Sequence, residues 1–161
     1  MAEFMERVRQ LSVRSYSPDG RISGVVDPSR RLGLEFTDGS FERYREAELE
    51  RQLGALAGRL WIEYQRAYVE VLTDVTGVRP TRSSTAGSDL DPQQRRYREA
   101  CAAIRCACEV HGGRITVVTN GLTRWSFSIA PGTLSQLSRT EFCRLTLAAA
   151  HTPVTMVVVA L

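Results

Sequence analysis

Apolar residues recur along this chain in two alternating periods, and the order of the periods is helix, three strands, helix, twice over. Phe4, Met5, Val8 and Leu11 return every three or four residues, the spacing of a short amphipathic helix. A strand is expected over residues 12–17, then a turn at Pro18-Asp19-Gly20, where Pro presets one dihedral and Gly permits positive φ. Residues 21–26 form the next expected strand, Asp27-Pro28-Ser29 turns the chain, and Leu32, Leu34 and Phe36 alternate on a third. From about Glu46 to Thr73 a long helix is predicted. Leu49, Leu53, Leu56, Leu60, Tyr64, Ala67 and Val71 step by three or four, and Trp61, Tyr68, Leu72 and Val75 widen the stripe. That face is too broad for one small sheet and calls for another helix.

The second half begins after a Ser/Thr/Gly/Pro linker. Asp91-Pro92 is an N-cap followed by a first-turn proline, and Tyr97, Cys101 and Ile104 mirror Phe4, Val8 and Leu11. Cys106, Cys108 and Val110 alternate as a strand, His111-Gly112-Gly113 turns, and residues 115–119 return. Asn120-Gly121 predicts a two-residue type I′ hairpin, and Trp125, Phe127 and Ile129 alternate beyond it. Ser138 and Glu141 form a capping box at the start of the last helix. Pro153 is expected to kink or end that helix, leaving β-branched residues 154–161 open to either helix or strand.

The two halves are copies. Residues 20–57 lie over residues 113–150 without a gap, at a constant offset of 93, with ten identical pairs. Composition alone would give roughly two or three. The identities include Gly20/Gly113, Ile22/Ile115, Arg31/Arg124, Gly39/Gly132, Glu48/Glu141 and Arg51/Arg144, and apolar character is kept at Phe36/Ile129, Phe41/Leu134 and Leu49/Phe142. The expectation is an α+β protein of two tandem helix–three-stranded antiparallel sheet–helix units forming an intramolecular pseudo-dimer. Residues 1–77 make the first unit, 78–90 the linker and 91–161 the second.

Two stretches carry a family likeness: "SPDGRISGVVDPSRRLGLEF" before the long helix, and "SIAPGTLSQLSRTEF" before the Ala-rich one. With the element order, they resemble the YbaB/EbfC family of bacterial nucleoid-associated proteins over most of both halves. The resemblance implies units that dimerise and, in several members, nonspecific DNA binding. Some accessory proteins of actinobacterial type VII secretion resemble the same fold.

Charge places the expected contact. All 21 basic side chains are Arg, a usage that suits a GC-rich genome, and the formal net charge is +3. From Asp91 onward eight Arg face four acids, whereas thirteen face fourteen before it. Attraction for nucleic acid should therefore concentrate on the second half, at Arg95, Arg96, Arg98, Arg105, Arg114 and Arg124. The alternative is a protein-binding adaptor using Leu60, Trp61, Tyr64 and Tyr68, a stripe that core packing also explains. The partners expected are thus DNA or a protein, with a homodimer beyond the internal one also open.

Other chemistry finds little footing. Cys106-x-Cys108-x2-His111, with Cys101 upstream, has ligand-like spacing, but Val13 and Ser15 stand at the equivalent strand positions, so core thiols are expected and no metal. His111 and His151 have no recognisable nucleophile pattern around them, and no phosphate-loop or zinc-protease motif occurs, so neither an enzyme nor a cofactor is expected. No signal peptide is read at the start, and the apolar end is far shorter than the ~20 residues of a membrane span. A cytoplasmic location is expected from these readings, and the YbaB/EbfC resemblance implies the nucleoid within it.

Overall fold

Turn chemistry cuts each alternating stretch into three strands. Gly20 adopts φ +72°, Gly20 N–H donates to Ser17 O at 2.9 Å, and Ser17 N–H donates to Ile22 O at 2.9 Å. In the computed structural model, which describes residues 2–29, 31–77, 103, 105–121 and 124–159 and side chains as far as His151, the first half runs α1 (Ala2–Arg9), β1 (Val13–Tyr16), β2 (Ile22–Val26), β3 (Leu32–Phe36), a 3-10 turn (Phe41–Arg43) and α2 (Glu46–Thr76). The second half follows with β4 (Arg105–Val110), β5 (Ile115–Asn120), β6 (Arg124–Ile129), a short α3 (Thr133–Gln136) and α4 (Arg139–Val159). The linker and, but for Ala103, the helix expected over 91–104 lie outside the described residues.

The strands form two antiparallel sheets, ordered β1-β2-β3 and β4-β5-β6. The capping box is present: Glu141 N–H donates to Ser138 Oγ, and Ser138 N–H to Glu141 Oε2, each at 3.2 Å. Two expectations are corrected. Asn120 is not a turn residue but the last residue of β5, paired with Arg124, so the hairpin loop is longer than two residues. Only Gly121 of the Asn-Gly pair has positive φ, at 62°. Nor does Pro153 end the last helix, which runs unbroken from Arg139 to Val159. A proline deletes one rung of the ladder, and the turns already formed before it keep the helix going.

Packing joins the halves. α2 lies against β1 and β2 of its own half and against β6 of the other, while α4 lies against β4 and β5 and against β3. One core results, uniting Ile22, Phe36, Phe41, Leu49, Leu53 and Leu56 with Ile115, Val117, Phe127, Ile129 and Phe142. Phe142, fully buried, brings its ring from α4 to within 5.4 Å of Phe41 and 6.1 Å of Phe36, centroid to centroid. Burying such side chains contributes about 1.5–3 kcal/mol each.

The halves also meet at the outer edge of β6. Ala130 N–H donates to Arg114 O at 2.8 Å, so even-numbered β6 residues bond to β5, and Trp125, Phe127 and Ile129 turn their main-chain groups away from it. α2 covers that edge. Ile129 N–H donates to Glu50 Oε1 at 2.7 Å, and Gly132 N–H to Glu46 Oε1 at 2.9 Å. One turn further along the same stripe, Gly54 faces the Trp125 carbonyl, whose oxygen would lie 3.0 Å from any added Cβ. A helix laid on an open edge removes a template for unwanted pairing, and glycine lets it lie this close. Gly54→Leu, which installs the residue found at the equivalent place in α4, should destabilise the fold by about 1–3 kcal/mol through overpacking, read as a fall in the urea midpoint at unchanged m-value.

Candidate nucleic-acid interface

Strand alternation sends one set of second-half side chains into the core and the other outward. On β4, β5 and β6 the outward set falls into three cross-strand rows: Arg105–Asn120–Arg124, Ala107–Val118–Ser126 and Glu109–Thr116–Ser128. Both arginines and Asn120 are exposed. Two strand spacings separate the guanidinium stems by about 10 Å. The rest of the face is Ala107, Val118 and three hydroxyl residues, Thr116, Ser126 and Ser128, with one carboxylate, Glu109, in the row farthest from the arginines.

The six expected arginines are therefore not one cluster. Arg105 and Arg124 are brought together across Asn120. Arg114 lies at the other end of the sheet, where its Nε donates to Thr133 Oγ1 at 3.2 Å and its Nη2 to Pro131 O at 3.0 Å. Its guanidinium clamps the turn into α3. Arg95, Arg96 and Arg98 lie outside the described residues. Asn120 was missed as a member of the row because Asn-Gly reads as a turn; only the register reveals it.

The outer face of the first sheet is different in kind. Arg14 reaches Glu35 at 3.5 Å and donates to Ser23 Oγ at 3.3 Å, so its charge is balanced where it stands. The nearby β1–β2 turn is held by Asp19. Its carboxylate accepts from Tyr44 OH at 2.5 Å, Ser17 Oγ at 2.6 Å and Arg21 N–H at 3.1 Å. Burial pushes the Asp19 carboxyl up, but the bonds from Ser17, Tyr44 and Arg21, with the Arg21 charge, outweigh it and hold the group below its ordinary 3.8. Burial first, and then the Asp19 bond and charge, push the Tyr44 phenol far up, so it stays a donor.

The aromatic stripe of α2 is largely consumed within the chain. Leu60 sits over Gly24 of β2, Trp61 stacks on Tyr64 at 6.2 Å, and Tyr68 meets Phe4 of α1 edge-on at 5.7 Å. Leu60, Trp61 and Tyr64 are half-buried, whereas Tyr68 is 38% exposed. More open are Ile62 at 49% and Val69 at 40%, which lie off the stripe and so escaped a periodicity reading.

Cys106 and Cys108 are half-buried on the inward face of β4, and Cys108 packs on the core. Burial raises the Cys143 thiol, against the opposing charge of Arg139. His111 lies in the β4–β5 turn with φ 55°. Among the described residues no three of His, Cys, Asp and Glu come together as metal ligands, and no helix is long and apolar enough to cross a membrane. Comparison with family models, curated proteins and solved structures returns no match.

Because the folded Asp19 value is depressed, its contribution is complete above its ordinary 3.8 and is lost as pH falls through the lower folded value. Asp19→Asn should therefore lower stability at neutral pH, with the gap to the native chain closing in acid. Tyr44→Phe should cost about 1 kcal/mol by removing one donor to that carboxylate. Thermal melts across a pH series check both.

Proposed function

We propose that this chain is a non-enzymatic, nucleoid-associated binding protein that holds the DNA backbone on the outer face of its second sheet. The observation that carries this reading is the Arg105–Asn120–Arg124 row, exposed on a face whose other side chains are short except Glu109, three of them hydroxyls. Guanidiniums supply the charge-assisted donors phosphates require, and Asn, Ser and Thr add neutral ones. Such contacts position a duplex without reading bases, so the binding is nonspecific and salt-sensitive. The likeness to YbaB/EbfC sequences points the same way.

The two units are taken to pack as an intramolecular pseudo-dimer. Support comes from the reciprocal exchange, α2 against β6 and α4 against β3, together with the ten identities at constant offset. A fused pair can diverge, and here Arg105 and Arg124 of the second sheet share a row without a carboxylate, whereas Arg14 of the first stands beside Glu35.

A second reading, a protein-binding adaptor without DNA binding, is favoured by the exposure of Ile62 and Val69 on α2. Gel shifts with a short duplex over a salt series separate the two. Arg105→Glu with Arg124→Glu should weaken binding and flatten the log–log salt slope by about 2, while Ile62→Asp with Val69→Asp should leave it unchanged. No shift by the native chain at ~50 mM salt would reject the DNA reading.

A further inference from the structure

We propose that the outer edge of β3, at its Leu32 end, docks an extended acidic peptide segment from a partner protein. The strand is bracketed by two ladder bonds, Asp27 N–H to Arg31 O and Thr37 N–H to Arg21 O, each 2.9 Å. Residues 31, 33, 35 and 37 therefore bond to β2, and Leu32, Leu34 and Phe36 turn their N–H and C=O groups away from it. This is the same phase that β6 presents to α2.

The two edges are covered differently. At the offset of 93, the α2 stripe Glu46, Glu50, Gly54 and Gly58 becomes Arg139, Cys143, Leu147 and His151 in α4. The carboxylates that accept from the β6 edge have no acidic equivalents, and Arg139 turns instead to Asp38 at 3.7 Å. Where Gly54 admits the Trp125 carbonyl, Leu147 carries a branched side chain. α4 stays close to β3 near Phe36, where Phe142 packs, but at the Leu32 end there is a cleft of about 280 Å³ lined by Arg31, Leu32, Leu147, Ala148 and His151.

That lining specifies the occupant. Main-chain groups on a strand edge are best matched by another main chain, the mode of strand addition. Leu32, Leu147 and Ala148 offer an apolar wall for one side chain of an extended segment, while the exposed Arg31 supplies a guanidinium for an acidic neighbour. The cleft's size suits a short segment and not a folded domain.

The test uses the full chain and a fluorescein-labelled peptide, Val-Thr-Val-Asp-Val-Asp, followed by anisotropy. Saturable binding is expected, weakened about tenfold or more by Arg31→Glu. Of two peptides N-methylated at alternate residues in opposite phases, one should lose binding and the other keep it, since only one phase of amides faces β3. Three results would overturn the proposal: no saturation by ~1 mM, equal binding of both methylated peptides, or native affinity in Arg31→Glu. The methylated pair leaves the protein untouched, so a folding defect cannot imitate the result.

Discussion

A three-stranded sheet with one helix leaves two things uncovered, an apolar face wider than the helix and a strand edge with unspent main-chain groups. In this chain each half meets that need with the other half's helix. α2 spans from its own β1 and β2 to β6, and α4 from β4 and β5 to β3. Phe142, from α4, completes the aromatic group of Phe36 and Phe41 in the opposite half. Neither half has a finished core without this exchange, which fits the thin core that a unit of this size can build.

Within that shared frame the halves fix their turns and edges by different chemistry. The second-half turn that follows β6 is clamped by Arg114 through Thr133 and Pro131. In the first half, Asp19 ties the β1–β2 turn to Tyr44, and Gln52 of α2 accepts from Asp19 N–H. The β6 edge is closed by two carboxylates and a glycine, whereas the equivalent positions of α4 hold Arg139, Cys143 and Leu147. One edge is thereby sealed and the other left with a cleft, and one sheet face keeps its arginines while the other neutralises Arg14 with Glu35.

These differences bear directly on function. A symmetric homodimer would present two copies of any binding face; under the proposed pseudo-dimer reading, one sheet face would take DNA and an edge of the other sheet a protein segment. The proposed DNA face and the proposed peptide cleft share no residue, so either could be lost without the other. Both depend on the same packing, because the helices set which strand groups remain open.

Much of the architecture was legible in the chain. The strands over residues 13–36, the long helix from Glu46, the capping box at Ser138 and the repeat itself are local patterns, and local backbone preference and side-chain period determine them. What the sequence could not decide is what depends on distant partners. Asn120 reads as a turn until pairing with Arg105 and Arg124 places it in a strand row. Arg114 reads as one more phosphate ligand until Thr133 and Pro131 claim it. Pro153 reads as a kink or an end, with helix or strand open beyond it, yet α4 continues through it. Gly54 is an unremarkable helix glycine until the Trp125 carbonyl is found beside it. The sequence by itself determined the elements and their duplication; only the tertiary structure decided which arginines stay exposed together and which strand edge stays open, because cross-strand register and edge cover are set by residues far apart along the chain.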